Sequence, residues 1–273
     1  MQKKVLLLLS ILFPSLVLEG CVTHTAIGNK PFTTPEEPLP GQFDPAVLGQ
    51  DVLGLAAAAE RLCQPLLSRE QNKLGHALAE RALGMGSNNP NAALAVARCA
   101  ALLLDFLEGK DRERMAETGV IAARSIGVPE KNPITSYWFA ICLGQILRER
   151  GMSGLSLLSE EIKALKTAQE EPSIDLGGPS RVLGMLYLKA PGWPAGPGDH
   201  DAALELLSEV ASQYPSHPLN HIFYGEALLA TGDKKTAAQH FAKGKDLARE
   251  ELWGDIAHSW QQQAQEQLDQ LTK

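Results

Sequence analysis

The sequence predicts an all-α fold, a solenoid of stacked helical hairpins with about 10–11 helices, on three grounds. Beyond residue 45 the chain is rich in Ala and Leu at helical spacing, and no run of β-branched residues alternates as a strand would. Proline, glycine and Asx residues cut it at short intervals. In the last third, small and large residues recur in the same order, as they do in an internal repeat.

The punctuation places the elements in order. Asn89-Pro90, Asn132-Pro133 and Gly178-Pro179 read as helix starts, since proline is tolerated in the first turn. Gly198-Asp199, Tyr214-Pro215-Ser216 and Gly232-Asp233 read as a stop followed by a cap. These signals predict helices over 46–63, 69–84, 90–108, 111–126, 133–150 and 154–170. They continue over 179–189, 199–213, 217–230, 233–248 and 251–271. Short connections between them predict antiparallel pairs.

The first 45 residues have a different character. Met1-Gln2-Lys3-Lys4 is positive, and Val5 to Leu18 is apolar apart from Ser10, Pro14 and Ser15. Gly20 then precedes Cys21. The apolar run is short for a membrane-spanning helix and fits a secretory signal over residues 1–20. With Leu18 and Gly20 before Cys21, it resembles the bacterial lipoprotein signal, although Glu19 sits where an uncharged residue is commoner. That resemblance implies acylation of Cys21, with palmitate-type chains anchoring the protein in a membrane. Val22 is not the aspartate associated with inner-membrane retention, so the expected location is the outer membrane, facing the periplasm. Residues 21–45, with Pro31, Pro35, Pro38, Pro40 and Pro45, read as an extended tether leading to a helical domain at 46–273.

Composition excludes several functions. A net charge of −7 and an aromatic content of 5% leave neither a basic stripe nor a stacking platform for nucleic acid. There is no phosphate loop, HExxH, GxSxG or zinc-ribbon spacing, so no enzyme, cofactor or metal centre is predicted. His217 and His221 are four apart, but Pro218 between them makes His217 a cap, and no third ligand accompanies them. Cys63, Cys99 and Cys142 sit among apolar helical neighbours and are expected to be buried thiols rather than disulfide partners. Glu160-Glu161, Glu170-Glu171 and Glu250-Glu251 read as solvated helix faces. Tyr137-Trp138-Phe139 reads chiefly as core, with one ring turned outward.

The repeat itself is explicit. Tyr224-Gly225 is followed by Ala237, Phe241 and Gly244; upstream, Leu183-Gly184 and Tyr187 are followed by Ala203, Leu207, Val210 and Pro215. Small residues permit close helix approach, and large ones fill the groove between hairpins. The pattern resembles the tetratricopeptide repeat. Gly184 to Gly225 is 41 residues against a repeat length of about 34, and the excess lies between Tyr187 and Ala203. That stretch is an enlarged loop with a tryptophan flanked by proline and glycine, stiff enough to serve either packing or partner binding. Residues 96–128 and 134–170 read as weaker units.

Residues 177–194, GlyGlyProSerArgValLeuGlyMetLeuTyrLeuLysAlaProGlyTrpPro, followed by Gly198-Asp199 and by TyrProSerHisProLeuAsnHis at 214–221, resemble the T component of TRAP (tripartite ATP-independent periplasmic) transporters. These are tetratricopeptide-like lipoproteins. The likeness runs over about residues 90–250 and is most specific at 177–244. It implies a non-catalytic accessory protein that associates with the periplasmic solute-binding protein of a TRAP uptake system and carries or shields an apolar ligand. Arg181, Tyr187, Lys189, Pro191, Gly192, Trp193 and Pro194 are the positions it singles out for partner or ligand binding, with Arg181 and Lys189 meeting acidic groups. The alternative reading is a generic tetratricopeptide lipoprotein scaffolding cell-envelope assembly. Symmetric self-association is common among oligomeric proteins, and nothing in these residues specifies it.

Overall fold

The computed structural model describes residues 51–64, 67–86, 89–127 and 132–271. The expected signal, Cys21 and the proline-rich tether lie outside the described residues. The chain forms two compact units, which divide between Thr167 and Ala168. Among the described residues no strand forms, and no helix is long and apolar enough to cross a membrane.

The first unit contains α1 (Val52–Leu62), α2 (Arg69–Met85), α3 (Pro90–Leu103), α4 (Gly109–Ser125), α5 (Pro133–Arg150) and α6 (Leu158–Ala168). From α1 to α5 successive helices pack as neighbours, and α3 also touches both α1 and α5. That is the layering of helical hairpins. The boundaries follow from local chemistry. Ser68 and Gln71 form a reciprocal capping box at α2, and the Asn132 side chain accepts the Thr135 amide at 3.0 Å at the start of α5. At the end of α5, Gly151 takes φ 53°, a conformation open to glycine, and the predicted helix from 154 begins instead as a 3-10 segment, Gly151–Leu157.

Three expectations fail here. Cys63 and Cys99 form a disulfide, with Cα atoms 5.0 Å apart, whereas Cys142 is the buried free thiol. The pairing arises because α1 ends beside the middle of α3, a juxtaposition that local sequence does not reveal. Gly75 of α2 makes it sterically feasible, since a Cβ there would stand 2.6 Å from Cys63 Sγ. Glu161 is the second failure. It is 2% exposed rather than solvated, and it packs against Gly144 of α5, where a Cβ would meet its Oε1 at 2.6 Å. Burial pushes its carboxyl up to about 8. Its neighbour Glu160 stays at the surface and pairs with Arg124 at 2.7 Å. Tyr137, Trp138 and Phe139 are all buried, because α5 is covered around its circumference, so no ring turns outward.

The second unit contains α7 (Gly178–Lys189), α8 (His200–Gln213), α9 (Pro218–Ala230), α10 (Lys234–Leu247), α11 (Glu250–Trp253) and α12 (Ile256–Leu271). Its core joins Met185, Leu207, Ile222, Phe223, Phe241 and Ala264. The predicted repeat residues do what their sizes suggest. Gly184 receives Leu207 and Gly225 receives Phe241, at distances (2.7 and 2.8 Å to a hypothetical Cβ) that exclude any larger side chain. Gly244 lies against Ile222 and the Pro218 carbonyl. The single helix predicted over 251–271 is split, because Gly254 turns to φ 59° and ends α11 after one turn. The all-α class expected from the sequence is the class observed, with tetratricopeptide-like hairpins.

Candidate protein-docking loop

The enlarged connection between α7 and α8 is a stapled platform. The Asp199 amide donates to the Tyr187 carbonyl at 3.0 Å, closing the loop at its base. The Gly198 amide donates to the Pro191 carbonyl at 2.8 Å, and the Ala195 amide to the Gly192 carbonyl at 3.0 Å. Gly196 and Gly198 leave no room for a side chain: a Cβ would lie 2.6 Å from the Pro191 carbonyl oxygen and 2.1 Å from that of Ala190, respectively. Asp199 then caps α8 by accepting the Asp201 and Ala202 amides.

At the tip, Trp193 is 90% exposed. It neither plugs the gap between hairpins nor lines a pocket of its own chain. Pro191, Gly192, Pro194 and Ala195 beside it are exposed too, so the tip is an uncharged apolar knob. A tryptophan offers about 200 Å² of surface. At about 25 cal/mol/Å², leaving it bare forgoes on the order of 5 kcal/mol of burial that a partner could recover.

The remaining predicted residues hold the knob in place. Tyr187 is half-buried against the second unit's core. Lys189 Nζ pairs with Glu226 Oε2 at 2.7 Å, and Gln263 Nε2 donates to Glu226 Oε1 at 3.3 Å, which ties the loop base to α9 and α12. Burial raises the Glu226 carboxyl, and Lys189 counters that rise. Arg181 is 2% exposed. Its Nη2 pairs with Asp175 Oδ2, and its Nη1 donates to the Asp175 carbonyl at 3.1 Å and to Asn220 Oδ1 at 2.9 Å. The acidic groups expected to meet Arg181 and Lys189 are therefore Asp175 and Glu226 of the same chain. Both cations are spent on architecture.

Arg181 compensates an unusual approach to α7. Asp175 and Leu176 adopt φ 49° and 50°, and Gly177 adopts 89°, three successive left-handed residues. Asn220 donates to the Leu176 and Tyr214 carbonyls, so buried side chains satisfy the backbone that this turn exposes. His217 caps α9 as its spacing from Pro218 predicts, accepting the Leu219 amide at 3.2 Å. Its ring packs against both Trp253 and Trp260, with centroids 4.6 and 5.4 Å away, and those two rings also meet each other. Burial, then the nearby Arg181 charge, holds His217 well below the ordinary histidine range.

The sequence reading missed Glu226, Gln263, Asp175 and Asn220. Glu226 left a trace, as the one acidic residue of α9. A cavity of about 350 Å³ at the α11–α12 break is lined by Glu250, Asp255, His258 and Gln261, and is polar rather than suited to an apolar ligand.

A family profile described as tetratricopeptide repeat matches residues 195–255, from the second half of the loop through α11. Curated proteins give no match. Tetratricopeptide-like repeats are in general non-catalytic scaffolds for protein partners. The paired small and large residues, the hairpin packing and the family match agree that this stretch of the second unit carries a tetratricopeptide-like repeat.

Proposed function

We propose that this chain is a lipid-anchored, periplasm-facing docking protein that engages the solute-binding protein of a TRAP-type uptake system through its 187–194 loop. The observation that carries the reading is Trp193, bare at the tip of a loop stapled by its own backbone. Such an aromatic loses little entropy when a partner closes over it, which is the energetic profile of an interface hot spot. Pro191, Gly192 and Pro194 shape the knob; Arg181, Tyr187 and Lys189 support it from beneath. The Cys63–Cys99 disulfide supports an oxidising compartment. Cys21, at the end of a lipoprotein-like signal, supplies the anchor in this reading. An apolar ligand within the array belongs to the same proposal.

The test is crosslinking and pull-down of the tagged full chain from detergent-solubilised envelopes, with Trp193→Ala beside the native protein. Recovery of a TRAP-type solute-binding protein by the native chain, lost in the variant, is the expected result. Recovery of that partner by both proteins would remove the loop from the interface. The family match by itself also fits a scaffold of envelope assembly, and recovery of cell-wall or outer-membrane assembly factors instead would favour that reading.

A further inference from the structure

The α9–α10 hairpin carries a feature that the docking loop does not use. His221 on α9 is buried, and its Nε2 lies 3.0 Å from the Pro215 carbonyl oxygen. A carbonyl only accepts, so Nε2 carries the proton and Nδ1 keeps its lone pair. That lone pair faces Nδ1 of His240 on α10 at 3.0 Å, with the ring planes 35° apart. His240 is half-buried and reaches solvent, while Tyr224 meets its ring edge-on at 4.6 Å. In the metal-free state a proton on His240 Nδ1 joins the two rings.

We infer that His221 and His240 form a two-imidazole chelate, through their Nδ1 atoms, for a borderline divalent cation of the zinc class. Two metal–nitrogen bonds of about 2.0–2.1 Å at a tetrahedral angle span about 3.3 Å. The observed 3.0 Å separation therefore widens by a few tenths of an ångström, and the rings, now nearly end to end with centroids 5.2 Å apart, pivot so that both lone pairs meet at the ion. On binding, the His240 proton moves from Nδ1 to the solvent-facing Nε2, so both ligands stay neutral and no net proton is released. The Pro215 carbonyl on His221 Nε2–H is the outer-shell arrangement that fixes a ligating histidine's tautomer and aim. Among the described residues no third His, Cys, Asp or Glu completes a cluster, so water fills the remaining positions on the exposed His240 side. Lys243 bears on both rings and opposes a cation, which makes this a site of moderate affinity.

The test is equilibrium dialysis of the full chain, purified in detergent without a polyhistidine tag, against Zn²⁺ alone at pH 7.5, with bound metal counted by elemental analysis. One zinc per chain is expected for the native protein and for His200→Ala. For His240→Ala and His240→Asn the loss should exceed the 10–100-fold that outer-shell partners cost. Circular dichroism melts of both variants establish that they fold. Zinc should also shift the His221 and His240 imidazole NMR signals and leave the His258 signal in place. No saturable zinc on the native chain, or zinc retained by the folded His240 variants, overturns the site.

Discussion

At the residue scale, two aromatic or charged side chains of similar prominence in the sequence have opposite fates. Trp193 contributes nothing to the core, so Trp193→Ala should change folding stability by less than about 0.5 kcal/mol while abolishing partner capture; a chemical denaturation curve and the pull-down check the two halves. Arg181→Met leaves Asp175 and three left-handed residues without their cation, and a loss of about 3–5 kcal/mol is expected in the same denaturation assay. Glu161 gives a pH signature. Its folded pKa of about 8 stands above the unfolded 4.5. The fold is thus unpenalised below about pH 4.5, where both states are protonated, and loses stability as pH rises to about 8, where the buried carboxyl ionises. That difference corresponds to roughly 5 kcal/mol. Glu161→Gln should flatten the decline between about pH 4.5 and 8, read as denaturation midpoints across pH. The burial of Glu161 was not legible beforehand. A Glu-Glu pair on a helix signals solvent, and only the arrival of Gly144 opposite Glu161 decides otherwise.

At the element scale, legibility was greater because helix ends are local events. Asn89, Asn132, Asp199 and Asp233 each cap the helix they were expected to start. The failures occur where glycine acts alone: Gly151 hands α5 to a 3-10 segment, and Gly254 divides α11 from α12. A glycine inside a helical pattern carries no sign of which way its φ will turn. The repeat glycines were readable because each has a bulky counterpart at a fixed distance along the chain. Gly225→Val should place a branched side chain into Phe241 and cost about 1–3 kcal/mol or more. Thermal unfolding of the folded variant measures it. The docking loop lay between these cases. Its stiffness was visible in its prolines and glycines, whereas the Lys189–Glu226 pair beneath it depends on α9 and α12 arriving from elsewhere.

At the scale of the whole molecule, the chain combines one unit with a clear repeat and one without, and the family match respects that division by falling within 195–255. The first unit supplements its core with a covalent bond. Closing a loop with a sequence separation of 36 removes conformational freedom from the unfolded chain, an effect of about 3–4 kcal/mol. Cys63→Ala with Cys99→Ala should lower the melting temperature accordingly, and dithiothreitol should reproduce the shift in the native chain. The same bond governs how the unit comes apart. In a stack of hairpins an end helix has a neighbour on one side only, so opening ordinarily begins there, one helix at a time. Here the first described helix, α1, is welded to α3, with α2 held inside the covalent ring. Fraying from the amino-terminal side is thereby converted into a larger cooperative event. Hydrogen exchange should register that event as amides of α1, α2 and α3 opening together at one free energy in the oxidised protein. In the reduced protein α1 should exchange first.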